Sequence, residues 1–262
     1  MARRPSAAGR HAPAPSARRA GTRPALAQRV RIIGGHWRRR LLSFPSSADL
    51  RPTPDRVRET LFNWLGQDMQ GLRCLDLFAG SGALGFEAAS RGAARVVMVE
   101  HDPAIVRALE ATRSQLGEPP AGTRIDIVRA DALHFLEREA QRGCGAAVGL
   151  HVVGHDVVFL DPPFRLDLMP ALLARVDACL GPGGWVYVEA PAASVDGPGV
   201  LDSLGNGAPW ATIRQARAGA VEYRILARQA DLQDADNPDS LAADGLPGGG
   251  AAHPHTDEDP PR

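Results

Sequence analysis

Asp76-Leu77-Phe78-Ala79-Gly80-Ser81-Gly82-Ala83-Leu84-Gly85 joins an apolar strand to a helix through three glycines. The spacing Gly80-x-Gly82-x-x-Gly85 lets the backbone turn sharply and approach a ligand closely. Outward from it, strand and helix patterns alternate. Strands are predicted at Arg73–Phe78, Arg95–Val99, Arg124–Arg129, Asp156–Leu160 and Trp185–Glu189, and helices at Ala83–Arg91, Pro103–Leu116, Asp131–Arg138 and Leu168–Leu180. The strands are apolar along most of their length, as in a parallel sheet covered on both faces. Right-handed crossovers then make a doubly wound α/β sheet. Two further runs, Trp210–Arg217 and Ala220–Ala227, flank Gly219 as a closing antiparallel hairpin, so the sheet is mostly parallel and seven-stranded.

The 262 residues divide by charge. Residues 1–60 hold 14 Arg and 3 acids, whereas residues 229–262 hold 8 acids and 1 Arg. Residues 1–28 read as a disordered basic arm and 229–262 as a disordered acidic tail. An Arg-rich organelle transit peptide is the second reading of the arm, disfavoured by its prolines. Residues 29–53 read as a basic hairpin and loop. Arg29–Ile33 forms one strand, Gly34-Gly35 the turn and Trp37–Phe44 the return. Trp37, Arg38, Arg39 and Arg40 on that return strand make a candidate RNA-binding patch, or equally an edge protected by charge. Thr53-Pro54 reads as a helix cap with proline at the first helical position. Val57, Leu61, Trp64 and Leu65 continue at helical spacing and open the main domain, residues 54–228. Arg56 and Arg58 read equally well as solvent-facing helix residues.

Cys74, Cys144 and Cys179 are too few and too scattered for a disulfide framework or a zinc site, which fits a reducing cytoplasm. No apolar run approaches the roughly 18 residues that a membrane helix needs.

Glu100 ends the next strand, 20 residues after Gly80, where a carboxylate can accept from ribose hydroxyls. A capping turn with Asp102-Pro103 explains it as well. Loop and acid alone leave a dinucleotide and S-adenosylmethionine both open. Three details favour the latter. Asp76 is poorly placed beside a pyrophosphate but suits an ammonium and a sulfonium. Asp131-Ala132 follows the third strand and can meet an adenine, or simply cap a helix. Asp161-Pro162-Pro163-Phe164 follows the fourth. Two prolines cannot continue a ladder, and a rigid acceptor cluster beside a ring suits a flat, amine-bearing base. All four features fall at carboxyl ends of parallel strands, where open α/β sheets bind ligands.

Together these features resemble a class I S-adenosylmethionine-dependent methyltransferase with a Rossmann-like sheet. More narrowly, Arg31-Ile32-Ile33-Gly34-Gly35 and Arg51-Pro52-Thr53-Pro54-Asp55-Arg56-Val57-Arg58-Glu59-Thr60-Leu61-Phe62-Asn63-Trp64-Leu65 resemble the RsmD family, which methylates the exocyclic N2 of one guanine in bacterial 16S ribosomal RNA. The resemblance spans about residues 29–228. It implies S-adenosyl-L-methionine as cofactor and 16S ribosomal RNA, within the small subunit, as partner. It implies Asp161, Pro162 and Phe164 as catalytic residues. Asp76, Phe78, Gly80, Ser81, Gly82, Glu100, Asp131 and Ala132 become the cofactor-binding set. A cytoplasmic monomer without metal or membrane contact is expected. Adenine-N6 or cytosine-N4 methylation, a nicotinamide-dependent oxidoreductase and a catalytically silent rRNA-binding assembly factor are the rival readings.

Overall fold

The computed structural model describes residues 28–45, 53–141, 154–193, 201–202 and 209–233. Residues 1–27 of the predicted basic arm, residues 142–153 and the acidic tail beyond Gln233 lie outside the described residues.

Strand β1 (Gln28–Arg31) pairs antiparallel with β2 (Leu41–Phe44). After α1 (Asp55–Leu65) come β3 (Arg73–Asp76), α2 (Ala83–Ser90), β4 (Arg95–Glu100), α3 (Pro103–Leu116), β5 (Arg124–Arg129), α4 (Ala132–Gln141) and β6 (His155–Leu160). The chain continues through α5 (Met169–Leu173), β7 (Leu180–Pro191), β8 (Trp210–Ala218), β9 (Val221–Arg228) and α6 (Gln229–Gln233). The main sheet has the order β5-β4-β3-β6-β7-β9-β8, parallel from β5 to β7, with β9 antiparallel to both β7 and β8. Chain order reverses at β3, where β4 lies on one side and β6 on the other, the crevice in which open α/β sheets hold ligands.

Side chains of a strand alternate between two cores. Cys74, Val96, Met98, Val157, Phe159, Trp185 and Tyr187 face α1, α2 and α3, and Leu75, Val97, Val158, Leu160, Val186 and Val188 face α4 and α5. Cys74 is a small, fully buried core residue.

The hairpin differs from expectation. Its return strand starts at Leu41, and residues 32–40 form a wide turn closed by Ile32 N to Arg40 O (2.9 Å) and Arg39 N to Ile32 O (2.8 Å). Gly34-Gly35 is no two-residue turn; it docks on the end of α2. His36 N donates to Ser90 O at 2.7 Å, and at Gly35, whose φ is +72°, an added Cβ would lie 1.9 Å from that oxygen. Only glycine fits there. Val30, Ile32, Trp37, Leu42 and Phe44 belong to the core built by α1 and α2, so the hairpin is sealed onto the domain.

Three local expectations are also corrected. Thr53 does not cap α1. Pro54 holds the N-cap position and its carbonyl takes Val57 N and Arg58 N, leaving the threonine hydroxyl for a tertiary bond. The predicted helix 168–180 is α5 followed by a 3₁₀ turn at Val176–Cys179, because the buried spacing Leu172, Val176, Cys179 suits either path. The tail begins with α6, fixed by Asp231 accepting from Gly183 N at 3.1 Å. No helix among the described residues is long and apolar enough to cross a membrane.

Candidate active site

The α1–α3 face of the sheet ends in acids. β3 pairs Asp76 with Met98 and Phe159, and β6 pairs Leu160 with Val188. Two residues beyond Met98, Phe159 and Tyr187, the residues Glu100, Asp161 and Glu189 fall into one row, on the same face as Asp76. They line a single cavity of about 600 Å³, with Phe78, Gly80 and Ser81 on one side and Thr53, Pro162 and Phe164 on the other.

Gly82, at φ +76°, is the N-cap of α2 and turns the chain from loop to helix. Behind the loop, Asp76 Oδ2 accepts from Gly85 N at 3.1 Å. Burial, followed by the charge of Asp161, pushes the Asp76 carboxyl up to about 7, against the pull of the Phe78 and Gly85 amides. Glu100 closes the other side: Oε2 accepts from Gly80 N at 3.1 Å, and Oε1 from Asp102 N at 2.8 Å. Glu100 therefore shapes a capping turn and also lines the cavity.

Asp161 continues β6 past its last paired residue, and Pro162-Pro163 stop the ladder there. Its Oδ2 accepts from Thr53 Oγ1 at 3.3 Å. Burial raises its carboxyl to about 6, opposed by the Thr53 bond. Glu189 is 4% exposed and Tyr187 donates its hydroxyl to Glu189 Oε1 at 2.7 Å. Burial and the neighbouring Asp161 charge push Glu189 up to about 8. Phe164 is 41% exposed at the cavity mouth. A cavity with four crowded carboxylates, three of them driven toward protonation, is matched to a ligand that brings positive charge and N–H donors.

Not every expected site residue joins it. Asp131 is exposed and its Oδ1 accepts from His134 N at 3.0 Å, while Ala132, the first residue of α4, is buried. Neither lines the cavity, and Asp131 caps the start of α4. Trp37 is 3% exposed, so it offers no stacking face, and the RNA-patch reading of that ring is withdrawn. Arg38, Arg39 and Arg40 are exposed, with Arg40 Nη2 donating to Gln115 O at 2.6 Å. Arg58, read as a possible solvent-facing residue, is fully buried. Glu189 was not anticipated in the site.

The sheet order, the glycine loop and the strand-end acids define a class I methyltransferase fold. A family model described as "Conserved hypothetical protein 95" matches residues 30–227. The chain is 40% identical over 213 residues to the Escherichia coli K12 protein named "Ribosomal RNA small subunit methyltransferase D", covering 79% of this chain and 94% of that one. It is 35% identical to the Haemophilus influenzae protein of the same name, over 75% of this chain and 92% of that one. A solved structure described as a putative methyltransferase from E. coli superposes with a TM-score of 0.60 at 37% identity, covering 78% of this chain and 99% of that chain. The chain belongs to this family, the RsmD family of methyltransferases.

Proposed function

We propose that the protein transfers a methyl group from S-adenosyl-L-methionine to the exocyclic N2 of a guanine in small-subunit ribosomal RNA. The guanine at position 966 of 16S rRNA is the first to test. The observation that carries the reading is the row Glu100, Asp161, Glu189 above Asp76, beside the Gly80 loop and the Pro162-Pro163 corner. The names of the relatives support the substrate class. When bound, S-adenosylmethionine supplies a methyl group already activated on a sulfonium, so the protein's task is position and electrostatics.

Asp76 and Gly80 would hold the methionine end of that cofactor and Glu100 its ribose. Asp161 and the Pro162 carbonyl accept the two amine hydrogens of the target base, which turns the nitrogen lone pair toward the methyl. Positive charge then develops against Asp161, whose carboxylate stabilises it. Thr53 fixes the Asp161 rotamer through the 3.3 Å bond. Phe164 stacks on a base that has left its own stack. Arg38, Arg39 and Arg40 contact the surrounding phosphates. The protein acts as a monomer on this RNA in the cytoplasm.

A labelled-methyl assay on undermethylated small subunits and on naked 16S rRNA tests the reading, with N2-methylguanosine expected in the digests by mass spectrometry. Methyladenosine or methylcytidine would replace it with another base, and preference for NAD over S-adenosylmethionine in calorimetry would replace the reaction.

Two further outcomes are expected. Phe164→Ala raises KM for RNA about tenfold, since base–aromatic stacking contributes about 1–3 kcal/mol, while the Kd for S-adenosylmethionine stays unchanged. Equal KM values would remove the stacking role. Second, cofactor binding is linked to protons. Asp76 has an ordinary value of 3.8 and about 7 in the fold, so below about 7 it is largely neutral and a cation must displace its proton. Affinity for S-adenosylmethionine therefore falls as pH drops below about 7, by up to about tenfold per pH unit for one proton. The uncharged sulfur of S-adenosylhomocysteine gives a shallower profile. The free protein shows the opposite trend: the contribution of Asp76 to stability is full below 3.8 and lost as pH rises through about 7. Calorimetry in buffers of different ionisation enthalpy measures the protons released; identical heats across buffers at pH 6.5 would contradict the linkage.

A further inference from the structure

Glu189 has no part in the transfer described above, yet it lines the cavity beside Asp161. It also borders a second, smaller hollow behind Pro162, Pro163 and Phe164, so it sits directly under the corner that receives the base. Register places it on the strand next to Asp161, facing the same way. Tyr187 occupies Oε1 from below, and the Thr53 hydroxyl, shared with Asp161, is the other side chain that stabilises its charged form. An apolar strand gains nothing by ending in a buried acid beside another acid, unless a donor arrives to share it.

We infer that Glu189 reads the ring N–H next to the reacting amine, so that Asp161 accepts from N2 and Glu189 from N1 of a guanine. Of the amine-bearing bases, guanine alone carries a ring N–H beside its exocyclic amine. Adenine N1 and cytosine N3 are bare acceptors at that position, and they would set a lone pair against the carboxylate. The acid pair thus converts a general amine site into a guanine-selective one. Burial and the Asp161 charge disfavour the ionised form of Glu189 in the free protein, and a bound N–H donor reverses that.

This inference rests on the guanine-N2 reading and is tested separately from it. The probe is small-subunit RNA in which the reactive guanosine is replaced by 2-aminopurine riboside. That base keeps the amine on C2 but has no hydrogen on N1. The full-length wild-type protein is expected to methylate guanosine about 10- to 100-fold faster, in kcat/KM, than 2-aminopurine, the range for a hydrogen bond to a charged group. In Glu189→Gln the amide can donate as well as accept, so the ratio collapses toward one while the Kd for S-adenosylmethionine holds. In Glu189→Asp the carboxylate is withdrawn by one methylene, so guanosine slows and 2-aminopurine does not. This variant serves if the glutamine protein fails to fold. Equal wild-type rates on the two bases would overturn the inference and leave the N2 reading standing, as would a ratio unchanged in both variants. No methyl on N2 of either base would instead overturn the N2 reading.

Discussion

Asp161→Ala is expected to lose methyl transfer by about 100- to 1000-fold in kcat, the range seen when one preorganised group facing developing charge is removed. Cofactor binding should survive, and at pH 7 it should tighten. Asp161 is the second-largest cause of the raised Asp76 carboxyl, after burial. Removing its charge lets Asp76 ionise at lower pH, which favours a cationic ligand. The Thr53 hydroxyl loses an acceptor at 3.3 Å but lies at the cavity wall, where water can replace it. Single-turnover transfer and calorimetry on the same preparation separate the two effects. A variant that binds RNA and S-adenosylmethionine yet retains more than a tenth of the wild-type rate would show that Asp161 is not the group facing the charge. Loss of transfer with RNA binding retained would also exclude a catalytically silent assembly factor.

The sheet was legible because its strands are short apolar runs punctuated by glycine loops and acids, and that pattern depends on local chemistry alone. Asp76, Gly80, Glu100 and Asp161 were legible for the same reason: each interrupts an apolar run at a strand's carboxyl end. Glu189 does so too, after Trp185-Val186-Tyr187-Val188. It passed unnoticed because nothing in the sequence says that its strand lies next to that of Asp161; only the register does. Asp131 follows a strand in the same fashion but has helical residues immediately after it, and its oxygen goes to His134 N. Trp37 and Arg58 were misread for a shared reason. Alternation along a strand or a helix reports one face of that element, whereas their burial comes from hairpin, α1 and α2 closing on one another.

That closure is where the largest stability effect is expected. Glu87 is 0% exposed on α2. Its oxygens accept from Ile33 N and Gly34 N, both at 2.7 Å, from Arg58 Nη1 at 3.3 Å and from Arg91 Nε at 2.9 Å. Arg91 in turn lies over the Phe62 ring at 4.8 Å. Glu87→Ala would leave two backbone N–H groups without an acceptor and two buried guanidinium groups without their shared counter-charge. Removing one member of a buried charge cluster costs about 3–5 kcal/mol, a large share of the roughly 5–15 kcal/mol that holds a typical domain. Urea unfolding should show that loss, and hydrogen exchange should show residues 30–44 opening well before the sheet. The effect should also reach the site. Arg58 Nε donates to Thr53 O at 3.2 Å, and the Thr53 hydroxyl holds Asp161. At a temperature where the variant is still folded, kcat should therefore fall while the Kd for S-adenosylmethionine changes little, because Gly80, Glu100 and Asp76 are held by β3, β4 and α2. A destabilisation below about 1 kcal/mol, with hairpin protection unchanged, would mean that the apolar contacts of Val30, Ile32, Trp37 and Leu42 suffice to dock the hairpin without Glu87.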